Sequence, residues 1–131
     1  QMLRDNPDVR LVIKEFPILS QSSLVAAQAA IAAGMQEKFA DYHIGMMTYR
    51  GQITNDVVMR VAEQAGLDNT QLQKDMESAE TAAIIQRTRE AAAALAINGT
   101  PALVIGDTVV PGAIGLDELV GLIADERAKQ G

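Results

Sequence analysis

Asn98-Gly99-Thr100-Pro101-Ala102-Leu103-Val104-Ile105-Gly106-Asp107-Thr108-Val109-Val110-Pro111-Gly112 is the stretch on which the fold is decided. Two short β-prone runs, Ala102–Ile105 and Thr108–Val110, are separated only by Gly106-Asp107. A two-residue loop that opens with glycine suits a type II′ turn, so the stretch predicts a hairpin. Pro111-Gly112 ends it. Proline cannot donate to a sheet ladder, so Pro101 belongs at the first position of its strand. Locally, Gly99-Thr100-Pro101 reads in two ways. It is either punctuation between a helix and a strand, or a purposeful turn built on a cis proline.

Upstream of the hairpin the pattern is helical back to Ser20. A long alanine-rich segment, about Ala79–Ala96, puts Ile85, Thr88, Ala92 and Leu95 on one face. Before it come a short helix from Asp68 or Asn69 to about Met76 and an amphipathic one, Asn55–Ala65, capped by Thr54 and stopped by Gly66. Gln36–Tyr49 carries an apolar stripe of Phe39, Tyr42, His43, Met46 and Met47. Leu24–Ala33 follows the cap candidates Ser20, Ser22 and Ser23 and has Gly34 as its stop. Downstream, Leu116–Ala128 is a final helix with Leu116, Leu119, Val120 and Ile123 facing inward. Val9–Phe16 is short, apolar, β-branched and bounded by Pro7 and Pro17, which predicts a buried strand. Gln1–Asn6 reads as the tail of a helix.

Bulk composition narrows the function classes. The chain has 131 residues, enough for one domain with one core. Its net charge of −6 and the lack of a basic stripe argue against nucleic acid and anionic membrane surfaces. No apolar run approaches the length of a membrane span. There is no cysteine, which excludes a thiolate metal site, a disulfide and a cysteine nucleophile within these residues.

Three separated motifs carry a family resemblance. Val9-Arg10-Leu11-Val12-Ile13-Lys14-Glu15-Phe16-Pro17-Ile18-Leu19, then Gly99-Thr100-Pro101 leading into Ala102–Asp107, then Val110-Pro111-Gly112-Ala113, resemble the DsbA-like thioredoxin family. The nearest likeness is to its bacterial envelope branch, and Gly66-Leu67-Asp68 fits the helical insertion of that branch. The resemblance implies an α/β thioredoxin-like fold, a single domain over 1–131 with a helical insertion at about 20–97. It implies a parent that exchanges thiols and disulfides on cysteine-containing proteins or peptides, with a redox partner protein, no cofactor and a periplasmic or envelope location. It also implies that Thr100 and Pro101 form the cis-proline loop whose backbone pairs with substrate.

The chain departs from the family pattern where the chemistry is done. The Cys-x-x-Cys unit and the strand before it are not among these residues, and the resemblance places them ahead of Gln1. That strand is central in the family fold, between Val9–Phe16 and Ala102–Ile105. The gap is filled by further residues of a longer parent or by another chain, for which a strand-swapped homodimer is one arrangement, or else the fold rearranges. The alternative function is a redox-inactive module that binds extended peptides or a partner protein. A small helical binding protein with incidental β runs is a third reading.

Other residues with chemical potential have plain readings beside functional ones. Glu15 is either an edge-strand carboxylate in water or, by the resemblance, a proton relay to the dithiol. His43, the only histidine, is a packed or half-exposed helix residue, or with Asp41 a general base. One histidine without cysteine is too little for a zinc site, so no metal is expected. Met46-Met47 is core, or part of an adaptable apolar groove.

Overall fold

The computed structural model describes all residues from 1 to 131. The helices are α1 (Met2–Asp5), α2 (Gln21–Met35), α3 (Phe39–Thr48), α4 (Asn55–Gln64), α5 (Asn69–Met76), α6 (Ala79–Ala94) and α7 (Leu116–Gln130). The strands β1 (Ala102–Ile105) and β2 (Thr108–Pro111) form one antiparallel sheet. The chain divides into two compact units, residues 15–91 and residues 1–14 with 92–131.

In the helical unit the caps follow from local side-chain chemistry. The hydroxyls of Ser20 and Thr54 accept the Ser23 and Val57 amides at 3.2 and 3.3 Å, starting α2 and α4. The Asp68 carboxylate accepts the Gln71 amide at 2.8 Å and starts α5. Each side chain satisfies an amide that has no partner in the first helical turn. Alanines on α2 let neighbouring helices approach closely, and the core forms where Ala29, Ala30, Ala32 and Ala33 meet Tyr42, Met46, Val58, Ala62 and Leu72. Gly66, with φ +78°, ends α4, and the Leu67 amide turns back to the Ala62 carbonyl at 3.0 Å. The side-chain amide of Gln36 acts as a surrogate strand. Its Oε1 accepts the Asp68 amide at 2.9 Å, and its Nε2 donates to the Asp68 carbonyl at 3.1 Å.

Gly34 does not stop α2, which continues through Met35. The left-handed residue there is Glu37, with φ +59°, and the Lys38 amide closes the turn on the Ala33 carbonyl at 2.8 Å. Met47 of the α3 stripe and Leu95 beyond α6 are exposed. α6 ends in the same way as α2: Ala96 has φ +54°, and the Ile97 amide bonds the Ala92 carbonyl at 2.8 Å.

In the second unit α7 packs on β1. Leu103, Ile105, Thr108 and Val110 are half-buried on one face of the hairpin, whereas Val104 and Val109 on the other are exposed. Of the four α7 residues expected inward, Ile123 is buried, Leu119 is half-buried, and Leu116 and Val120 are exposed. A two-stranded sheet covers only a narrow stripe of a helix. Arg127 near the end of α7 grips the N-terminal segment. Its guanidinium donates to both Asp8 carboxylate oxygens, at 2.8 and 2.5 Å, and to Asn6 Oδ1 at 3.0 Å.

The expected strand Val9–Phe16 is not formed. These residues have neither helix nor ladder, and Leu11, Val12 and Ile13 are 52, 56 and 43% exposed instead of buried. The physical reason is pairing. β-propensity does not make a strand unless a neighbour supplies hydrogen bonds, and the only sheet consists of β1 and β2.

Two predictions follow from these ends and grips. Ala96→Gly relieves a left-handed backbone at a helix end and should stabilise the chain by about 1 kcal/mol, measured by urea denaturation. The Arg127 guanidinium hydrogen-bonded to Asp8 holds that carboxyl below its ordinary value of 3.8. A lowered folded-state pKa gives stability that is present above the unfolded value and lost as pH falls. Acidification from pH 5 to 3 should therefore lower the melting temperature of the wild type more than that of Asp8→Asn.

Candidate functional site

Gly106 has φ +55° and Asp107 does not share the positive φ, as a glycine-first two-residue turn requires. The turn sets the register: Ala102 faces Pro111, Leu103 faces Val110, Val104 faces Val109 and Ile105 faces Thr108. Beyond the last pair, the Gly112 amide donates to the Pro101 carbonyl at 2.9 Å. Bonded and non-bonded pairs alternate in an antiparallel ladder. The amides and carbonyls of Ala102 and Val104 therefore point away from β2. No strand lies along that outer edge of β1. The outer edge of β2 is blunted, because Pro111 has no N–H.

Thr100 and Pro101 sit immediately before β1, and the peptide bond between them is cis. Asn98, Gly99, Thr100 and Pro101 are all exposed. Thr100 neither donates nor accepts a backbone hydrogen bond within the chain. The turn thus presents free backbone donors and acceptors that run on into the open edge of β1.

Glu15 belongs to the other unit and is half-buried, where an edge-strand carboxylate would be fully in water. Its side chain is 20% exposed, and Oε1 lies 3.5 Å from His43 Nδ1 on α3. That oxygen is buried and receives no hydrogen bond. Burial raises the Glu15 pKa, and the nearby His43 opposes the rise. The imidazole is 24% exposed and stacks on Phe39, with ring centroids 5.2 Å apart and planes at 19°. His43 is therefore packed and half-buried, with Glu15 as its neighbour. Reading along the sequence missed this pair because its members are far apart in the chain. The available signal was two ionisable groups in otherwise apolar segments, Glu15 beside Phe16 and His43 on the stripe of Phe39, Tyr42 and Met46.

Met46 is core, whereas Met47 is exposed. A cleft of about 340 Å³ between α3 and α4 is lined by Asp41, Ile44, Gly45, Val61, Gln64 and Ala65. Of the candidate site residues, only Asp41 lies in it. No three His, Asp or Glu side chains gather in a way that could hold a metal. No helix is long and apolar enough to cross a membrane.

Helices α2–α6 inserted ahead of a hairpin that is entered through Thr100-Pro101 define a DsbA-type thioredoxin-like fold. The chain belongs to the DSBA-like thioredoxin domain family, whose model matches residues 1–124. A thioredoxin-like oxidoreductase from Silicibacter pomeroyi DSS-3 superposes with a TM-score of 0.92 at 38% identity, covering 99% of this chain and 74% of that one. A periplasmic thioredoxin-like protein from Salmonella enterica serovar Typhimurium gives a TM-score of 0.78 at 27% identity, covering 97% of this chain and 71% of that one. The uncharacterised protein YwbO of Bacillus subtilis is 35% identical over 77 residues, 57% of this chain. The match spans 38% of the length of that relative.

Because the folded-state pKa of Glu15 is raised, its contribution to stability is present at low pH and is lost as pH rises through the folded value. Glu15→Gln should remove that loss. Its melting temperature should exceed that of the wild type at pH 8, and the difference should shrink on acidification to pH 4.

Proposed function

We propose that this chain forms the peptide-binding part of a thiol–disulfide oxidoreductase acting on cysteine-containing proteins of the bacterial periplasm or envelope. One observation carries the reading: the Thr100-Pro101 turn at the entry to β1 is exposed, and the Thr100 backbone has no hydrogen-bond partner within the chain. An extended substrate segment pairs with the free main chain of such a turn in the manner of an added strand. The short side chain of Thr100 leaves room for a sulfur beside the turn. Family membership and the oxidoreductase and periplasmic descriptions of the two structural relatives support the same reading.

The chemistry needs a dithiol, and none of the 131 residues is cysteine. In this reading a Cys-x-x-Cys outside these residues supplies it. For reduction of a substrate, one thiolate attacks the substrate disulfide. The S–S bond breaks, a mixed disulfide forms, and the departing substrate sulfur takes up a proton. The second thiolate then breaks the mixed disulfide, releasing reduced substrate and leaving the oxidised pair. A redox partner protein resets the pair, and oxidation of substrate is the reverse sequence. Glu15, with its carboxyl held toward the protonated form, is the proton reservoir.

The absence of cysteine favours a second reading, a redox-inactive module that holds extended peptides or a partner protein through the same turn. Both readings require peptide binding by these residues. Pro101→Ala restores an N–H and frees the backbone at the entry to β1. It should weaken binding of a fluorescent extended peptide, with serine in place of cysteine, by about tenfold or about 1.4 kcal/mol. Unchanged affinity would reject both readings. Thiol release from a disulfide-bonded substrate by the full gene product separates them, because activity selects the first and inactivity the second.

A further inference from the structure

Glu15 and His43 come together in one compact unit, from the segment ahead of α2 and from the first half of α3. The Glu15 Oε1 is shut off from water and has no donor, so a charge localised there is poorly solvated. The facing Nδ1, at 3.5 Å, belongs to an imidazole, the side chain best suited to exchange protons near neutral pH. Stacking on Phe39 fixes the plane of that ring, and its partial exposure leaves it a route to water.

We propose that Glu15 and His43 are a proton-sharing pair, in which the imidazole exchanges a proton with the shielded Oε1 of the carboxyl. The carboxyl O–H breaks as an N–H forms at Nδ1, leaving a carboxylate beside an imidazolium. The imidazolium then releases a proton from its other nitrogen to water, and the reverse sequence reloads the carboxyl. Net charge and proton count balance at each step. His43 is a positioning and transfer residue here, acting through Glu15. The proposal extends the reading of Glu15 as a proton reservoir and rests on it.

The surrounding groups do not compete. Tyr42, next to His43 on α3, donates its hydroxyl to the Ala26 carbonyl of α2 at 3.4 Å. Burial, reinforced by Glu15, pushes its pKa further up, so it keeps its proton. Lys14 and Asp41, the charged chain neighbours of Glu15 and Tyr42, are exposed.

The test is a carbon-13 NMR titration of the side-chain carboxyl carbons in the 131-residue chain, with the Glu15 signal assigned by its loss in Glu15→Gln. The single histidine makes the ring signal unambiguous. The Glu15 carbon should titrate above the ordinary glutamate range and show a second inflection that coincides with titration of the imidazole. In His43→Gln the second inflection should vanish, and the Glu15 midpoint should rise by about half a pH unit or more, because an opposing neighbour is gone. A single Glu15 inflection in the unsubstituted chain overturns the pair whether or not the variant folds. So does an unmoved midpoint in a folded His43→Gln. Either result leaves peptide binding at the Thr100-Pro101 turn untouched, which stands or falls with Pro101→Ala.

Discussion

Backbone groups removed from water must find partners, and in the unit of residues 1–14 and 92–131 this requirement governs the rest. β1 and β2 satisfy each other on one side only. The open side of β1 keeps the amides and carbonyls of Ala102 and Val104 available, and Thr100 just before it is equally free. The apolar Leu11, Val12 and Ile13 are outside any ladder and exposed for the same reason: no strand pairs with them. The open edge and the unformed strand therefore have a single cause. The helical unit has no such deficit, because helices bond internally and its alanine-lined interior needs only close packing.

This difference explains what could be read from the sequence. Elements whose cause is local were legible. The Ser20 and Thr54 caps, the Gly66 stop, the Gly106-Asp107 turn and the register it imposes all arise from residues within a few positions of one another. Elements whose cause is distant were not. Val9–Phe16 has the composition of a strand, but the partner that decides the matter is not written in it. Leu116 and Val120 lie on the apolar side of α7, and their burial depends on the width of the surface beneath. The left-handed turns at Glu37 and Ala96 escaped notice because neither residue advertises that conformation as glycine does.

The candidate site divides along the same line. Thr100-Pro101 is legible because proline fixes its own backbone and announces a strand entry. The pairing of Glu15 with His43 is a tertiary fact, set by how the segment ahead of α2 folds against α3. The sequence placed Glu15 between Lys14 and Phe16 and His43 between Tyr42 and Ile44, and left open what each would meet. The structure replaces an edge carboxylate in water with a mostly buried one facing an imidazole, which is a different chemical object. Burial raises the pKa of Glu15 against the opposing effect of His43, whereas a solvated carboxylate meets neither.

In the proposed reading, pairing with the free main chain at the Thr100-Pro101 edge of the hairpin reads backbone, not side chains, and would tolerate varied substrate sequences. Discrimination must then come from what flanks the edge. Here the flanking side chains are small or aliphatic: Thr100 at the turn, with Ala102 and the exposed Val104 on β1. None carries a charge that would select for or against a charged substrate residue. A surface of this kind suits a protein whose targets share an extended conformation and little else. It also makes binding and thiol exchange separable, since the hydrogen bonds that hold a peptide require no sulfur on the protein side. In the proposed reading, a chain without cysteine would contribute to the first task and not to the second.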